Sequence, residues 1–374
     1  MRNKSRNFSA PGRVEICGNH TDHQRGRVLA AAVDMEIKAL AKANDTKTVT
    51  LKNELFGAKD VSLHSADIRT ERSGTPGALI QGVAAWFHQK GYPVGGFDAT
   101  ITSNVPPGAG LSSSAAFAVL VGNIFKGLYG AEISPIEIAQ AGLFAENVYF
   151  GKPCGLMDQA ASSFGGLNIF DFEDINNPIV TQVRAEFSGY CMCIVDTGGS
   201  HESLTSDYTA CTAEMRAVAA YFGKKFLREV DEAEFFDSIG KLRHLGDRAI
   251  LRAIHFFKEN ERVLEQAEAL ENGDMPSFLR LVSESGQSSL AYLQNVFSPA
   301  TPQEQGLTLA LALSESILLG KGAWRVHGGG FAGTVLAFVP DELKEIYRAR
   351  MSAIFGAGNI HFLNIRSQGG REES

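Results

Sequence analysis

Residues 97–128, FDATITSNVPPGAGLSSSAAFAVLVGNIFKGL, carry the reading that decides the fold. FDATITS alternates apolar and polar positions as a half-buried strand does, and Asn104-Val-Pro-Pro-Gly-Ala-Gly then stops regular structure. From Ser112 to Leu128 the Ala, Val and Leu content reads as a helix, with serines where a helix N-terminus takes side-chain oxygens. A strand feeding a glycine-rich turn into a helix N-terminus leaves backbone N–H groups free to hold an anion, and phosphate is the natural occupant. The candidates are Pro107, Gly108, Ala109, Gly110, Leu111, Ser112, Ser113 and Ser114. No G-x-x-x-x-G-K-[ST] loop is present, so a phosphate here would be held without a loop lysine. The competing reading is an ordinary serine-capped helix.

Three other stretches concentrate polar chemistry. In Ala10–Gly26, APGRVEICGNHTDHQRG, the residues Arg13, Asn19, His20, Asp22, His23 and Gln24 crowd together between apolar flanks, a density that suits a small polar ligand; a solvated turn is the alternative. In Pro153-Cys-Gly-Leu-Met-Asp-Gln159, Asp158 sits among apolar neighbours, where a helix-capping or core-pairing acid is the commoner role. In His327–Gly333, HGGGFAG satisfies G-x-G-x-x-G literally, yet Thr334-Val-Leu-Ala-Phe-Val continues as a strand where a dinucleotide fingerprint needs a helix. A tight connection between two strands that brings backbone close to a ligand fits better.

The 374 residues suffice for two domains, placed at 1–180 and 181–374, and so for a cleft between them. Helices are expected at Gly77–Phe87, Pro135–Phe150, Ser206–Phe222, Lys241–Leu270 and Pro302–Leu319. Strands are expected within Arg27–Leu51 and at Leu167–Phe172, Tyr190–Thr197, Ala323–Val326, Thr334–Phe338 and Ile360–Leu363, an α+β arrangement. A net charge of −7 argues against broad nucleic-acid binding. No apolar run reaches the roughly 18 residues of a membrane span, so a cytoplasmic protein is expected. The five cysteines (Cys17, Cys154, Cys191, Cys193 and Cys211) form no C-x-x-C pair and read as reduced thiols.

Together these stretches resemble the GHMP kinase superfamily and, within it, the galactokinases, over most of the chain. APGRVEICGNHTD is similar to the sugar-binding signature, PPGAGLSSSAA to the ATP loop, PCGLMDQ to the catalytic segment and HGGGFAG to the C-terminal glycine loop, in the family's order. The resemblance implies an N-terminal domain like the second domain of ribosomal protein S5, a ferredoxin-like C-terminal domain, and an active site in the cleft. It implies ATP as co-substrate and a small-molecule sugar as acceptor. Asp158 would be the general base toward the anomeric hydroxyl, with Arg13 stabilising charge. Mg2+ would be held by Ser114, or its neighbour Ser113, and Glu146. The sugar would meet Asn19, His20, Asp22, Gly155 and Tyr208, and Gly329 and Gly330 would join the ATP site.

The departures from the family are specific. Its GEHTDYN is Gly18-Asn-His-Thr-Asp-His-Gln here, so Asn19 replaces an acid that contacts the C6 hydroxyl, and galactose, galacturonate or both become admissible substrates. The stretch before Ala10 is short, GTPGALIQG (74–82) lacks a tryptophan seen near adenine, and Thr209-Ala-Cys211 replaces an arginine pair. Two other functions compete. A non-catalytic sugar sensor would lack the Ser-Ala step that Ser114-Ala115 supplies, and a kinase of mevalonate or homoserine would lack the His-Thr-Asp trio.

Overall fold

The computed structural model describes residues 4–53, 57–63, 74–106, 108–151, 154–199 and 204–373. Strand β1 (Arg6–Cys17) and the 17-residue strand β2 (Arg27–Ala43) form an antiparallel pair at the centre of a first sheet. Most of β1 is buried on both faces, which its run Phe8, Ala10, Val14, Ile16 and Cys17 permits. Its register with β2 shifts between Pro11 and Arg13, where proline lacks an N–H for the ladder. That bulge sets Arg13, whose backbone N–H donates to Leu111 O at 3.1 Å, tying β1 to the glycine turn.

Strands β3 (Thr48–Asn53) and β4 (Gly57–Ser62), then β5 (Phe97–Ser103), β6 (Leu167–Asp171) and β7 (Ile179–Gln182), extend this sheet. The C-terminal half of β2 pairs with β5 and its N-terminal half with β6. Helices α1 (Pro76–Gln89), α2 (Ser113–Tyr129), α3 (Pro135–Phe144) and α4 (Met157–Phe164) pack together, with α2 and α4 against β1 and β2. Thr75 caps α1, and Ser134 with Glu137 makes a capping box on α3. The helix expected to reach Phe150 widens instead into a π-turn over Ala145–Phe150, a distortion common at functional sites.

A second, four-stranded antiparallel sheet has the order β11-β8-β10-β9, built from β8 (Tyr190–Asp196), β9 (Ala323–His327), β10 (Thr334–Pro340) and β11 (Ile360–Leu363). Its helices are α5 (Thr205–Tyr221), α6 (Glu232–Leu242), α7 (Asp247–Glu271), α8 (Met275–Ser288), α9 (Gly306–Leu318) and α10 (Lys344–Phe355). The single helix expected over Lys241–Leu270 is divided at Gly246, whose φ of +96° no helical residue adopts. A final strand, β12 (Arg371–Glu373), returns to pair with β1 at the edge of the first sheet. One apolar core runs through both sheets, joining Phe8, Val14 and Leu29 to Met192, Val263, Phe278 and Phe338. Among the described residues no helix is long and apolar enough to cross a membrane. None of the five cysteines forms a disulfide.

Candidate active site

Arg13 and Asp158 lie 145 residues apart in sequence and meet at 2.7 Å, Arg13 Nε donating to Asp158 Oδ1. Both are buried, at 6% and 9% exposure, so the pair is screened little by water. Arg13 Nη1 also donates to Gly110 O, and Ser112 Oγ donates to Asp158 Oδ2 at 2.6 Å. Asp158 stands in the first turn of α4, where the helix dipole favours a carboxylate. Each of its oxygens thus accepts a charge-assisted bond.

The serine-capped reading of α2 does not hold. Ser112 precedes the helix with φ +56°, in the left-handed region, and its hydroxyl makes no capping bond because it is turned toward Asp158. The opening N–H groups of α2, at Ser113, Ser114 and Ala115, therefore keep their anion-binding capacity beside Asp158. Gly108 and Gly110 adopt φ of +82° and +69° in the turn leading there, with Ala109 and Leu111 buried between and after them. A Cβ on Gly110 would overlap the Thr334 side chain, so the turn packs directly on β10. Pro107 lies outside the described residues.

The sugar-signature residues gather on the other side of Asp158. A Cβ at Gly155 would fall within the Asp22 carboxylate, so glycine is what lets the two meet. Burial, then the charge of Asp158, raise the Asp22 carboxyl from 3.8 to about 7. Burial likewise lowers His20 to about 4, so its ring is neutral. His20 Nε2 lies 2.8 Å from Gly329 O, which can only accept, so Nε2 carries the proton. Nδ1 then accepts from His23 Nε2 at 3.1 Å, and Gln24 Nε2 donates to His23 Nδ1 at 3.3 Å. Tyr208, reaching in from α5, donates to Gly330 O at 3.0 Å and stacks near His20 with ring centres 6.4 Å apart.

Two placements differ from the sequence reading. Gly329 and Gly330, expected with the ATP loop, form the tip of the β9–β10 hairpin, and their carbonyls are held by His20, Asn295 and Tyr208 on the sugar-signature side. Asn19, expected to face the sugar, is fully buried. Its Nδ2 donates to Glu15 Oε1 at 2.9 Å and to Gly328 O, and its Oδ1 accepts from Asn295 Nδ2 at 2.8 Å. The amide is a strut between β1 and the hairpin and offers no surface to a ligand.

That strut belongs to a buried polar network the sequence reading passed over. Arg325 of β9, with no exposure, donates to Glu15 Oε1 at 2.8 Å and to Ile16 O at 2.6 Å. Burial nonetheless raises the Glu15 pKa, outweighing Arg325. Glu259 on α7 accepts from Gly18 N at 3.1 Å, from Ser285 Oγ at 2.6 Å and from Arg262. Burial alone would raise its pKa, but His255, Arg262 and Arg325 hold it far below the usual carboxylate range. The available signal was a charged residue inside the apolar strand AWRVH.

Glu146, in the π-turn packed against α2, is completely buried. Its Oε2 accepts from Gln159 Nε2 at 2.8 Å and from the Cys154 thiol at 3.1 Å, while Glu146 Oε1 and Gln159 Oε1 have no partner among the described residues. Orphaned buried oxygens of this kind suit a hard cation. Among the described residues no group of three or more His, Cys, Asp or Glu forms a ready metal cage.

With this geometry in view, residues 78–166 match the GHMP kinases N terminal domain, and the two-sheet architecture is that of GHMP kinase structures. The chain thus shares its fold with GHMP kinases, and its N-terminal half carries the match to their N-terminal domain. Residues 2–43, spanning Arg13 to Gln24, match the galactokinase galactose-binding signature. The fold superimposes on Lactococcus lactis galactokinase, solved in complex with galactose, at a TM-score of 0.86 and 24% identity, covering 100% of this chain and 96% of that one. Methanococcus jannaschii mevalonate kinase follows at a TM-score of 0.67 and 16% identity, covering 99% and 100%. A D-glycero-D-manno-heptose 1-phosphate kinase from Bacteriodes thetaiotaomicron gives 0.66 and 16%, covering 98% of both chains.

Proposed function

We propose that this protein is an ATP-dependent sugar 1-kinase that converts galactose and ATP to galactose 1-phosphate and ADP. The observation that carries the proposal is the Arg13–Asp158–Ser112 cluster, set between an uncapped helix N-terminus and the galactose-signature residues. Asp158 takes the proton of the anomeric hydroxyl as its oxygen bonds to the γ-phosphorus, and the bond from that phosphorus to the bridging oxygen of ADP breaks. Arg13 orients the carboxylate before proton transfer and offsets the charge that develops during it. The Gly108–Leu111 turn and the N–H groups of Ser113 and Ser114 receive the phosphates. Asp22, His20, Tyr208 and the backbone at Gly155 position the sugar. Glu146 and Ser114 would hold Mg2+, which neutralises phosphate charge when bound.

The burial of Asn19 removes the argument for galacturonate that ran through C6, while Asp22-His23-Gln24, which resembles galacturonate kinases more than the usual Asp-Tyr-Asn, keeps that sugar as the alternative. Galactose is the preferred substrate because the signature match spans the residues that build the sugar side. The test is a coupled ADP-release assay over a panel of hexoses, hexuronic acids, mevalonate and homoserine. Galactose should give the highest kcat/KM, and Asp158→Asn should lower kcat by roughly 10²- to 10⁴-fold with little change in ATP affinity. More than a tenth of wild-type kcat in this variant would remove Asp158 from the base role. Binding of sugar and ATP without turnover would identify a sensor instead.

A further inference from the structure

Between α7, α8 and the turn that follows α8 lies a groove of about 560 Å³ lined by Lys258, Arg262, Arg280, Ser283, Gln287 and Tyr292. Three cations line it with one carboxylate, Glu284, which Arg280 Nη1 holds at 2.5 Å and which Arg262 approaches. The Lys258 ammonium lies 5.2 Å from the Tyr292 ring centre. Arg262 is 7% exposed, and among the described residues its Nε has no hydrogen-bond partner, Glu284 Oε2 being 4.0 Å away. A buried guanidinium nitrogen left without an acceptor is costly, and a guest anion would relieve it. The Glu284 side chain is about half exposed and can swing into solvent, leaving its place between two arginines to a guest oxygen.

The floor of the groove is wired to the sugar signature by two routes. Arg262 pairs with Glu259, whose Oε1 accepts from the N–H groups of Gly18 and Asn19 at 3.1 and 3.5 Å. Ser288, also lining the groove, bonds His255 Nδ1 at 2.8 Å, and His255 Nε2 meets Asn19 O at 2.9 Å. The backbone of Asn19 is therefore gripped at its N–H by one relay and at its carbonyl by the other, and both begin at the groove. Gly18 and Asn19 lead directly into His20 and Asp22.

We propose that this groove is a second ligand site, for a phosphate-bearing small molecule, whose occupancy shifts the Gly18–Asn19 turn and so alters sugar affinity. Phosphate fits better than a carboxylate because its tetrahedral oxygens can face Arg262, Arg280 and Lys258 at once. The effect on sugar affinity rests on the sugar-kinase reading, whereas the site and its coupling to the turn do not.

The test uses the full-length protein, with inorganic phosphate as probe and acetate as the carboxylate control. Calorimetry should show phosphate binding that is at least tenfold weaker in a Lys258→Gln/Arg280→Gln double variant, and acetate binding weaker than phosphate in the wild type. Hydrogen exchange at the Gly18 and Asn19 amides should change at least threefold on adding phosphate to the wild type, and not in the double variant. Sugar KM should follow the same pattern, with kcat without phosphate equal in the two proteins. Undiminished phosphate binding in the double variant, or acetate binding as tight as phosphate, overturns the site. Exchange at Gly18 and Asn19 indifferent to bound phosphate overturns the coupling. If binding and exchange respond as expected but no sugar is phosphorylated, the site stands and the kinase reading falls.

Discussion

Asp22, raised to about 7 by burial and by Asp158, gives the protein a pH signature that one substitution can isolate. An acid whose folded pKa lies above its unfolded value contributes stability in full below the unfolded value, near 4, and loses it as pH rises through the folded value, near 7. Wild-type protein should therefore lose stability relative to Asp22→Asn between pH 5 and pH 8, by about 2 kcal/mol after allowance for solvent at this partly exposed carboxyl. Parallel thermal-denaturation curves for the two proteins over that range would show that Asp22 ionises normally. At Asn19 the expectation concerns folding. Asn19→Glu would set a second carboxylate against buried Glu15 and should cost roughly 2–5 kcal/mol in urea unfolding, with the galactose to galacturonate kcat/KM ratio unchanged. A stable variant with a shifted ratio would put position 19 back at the sugar.

At the scale of elements, the site exists because segments meet with no side chain between them. The loop before α4 reaches the turn at Asp22 only because Gly155 has no Cβ. Its φ is not in the left-handed region, so alanine is tolerated by the backbone and the effect of Gly155→Ala is steric alone. The alanine should push Asp22 aside and raise KM for the sugar at least tenfold, with a smaller change in kcat, as loss of ground-state binding does. Steady-state kinetics decides it: an unaltered KM means that Asp22 does not meet the sugar. The bulge in β1 and the left-handed Ser112 act similarly, aiming Arg13 and the Ser112 hydroxyl at one carboxylate.

Across the whole molecule, the Glu15–Arg325 ion pair joins the first sheet to the second through their shared core. Removing one partner of a buried pair strands the other, so Arg325→Leu should cost about 3–5 kcal/mol. Glu15→Gln/Arg325→Leu should recover at least half of that, since the stranded charge is gone. Equilibrium denaturation of the single and double variants checks this. If the double variant is as unstable as Arg325→Leu, the cost comes from lost packing and not from an unpaired Glu15.

Sequence by itself determined the strand–turn–helix at 97–128, the hairpin around HGGGFAG and the positions of most strands, because alternation, glycine and proline act over a few residues. It also marked Arg13 and Asp22, as dense polar residues between apolar flanks, and Asp158, as a carboxylate among apolar neighbours that needs a partner. Only the tertiary structure decided which partners those are. The Asp158 bonds to Arg13 and Ser112 span 145 and 46 residues, and no local pattern encodes such closure. It turned Ser112 from a cap into a partner of Asp158, moved Gly329 and Gly330 to the sugar-signature side, and withdrew Asn19 from the ligand. In each case the backbone conformation and neighbours were set by packing between distant segments, and a side chain's chemistry does not say which way it will face.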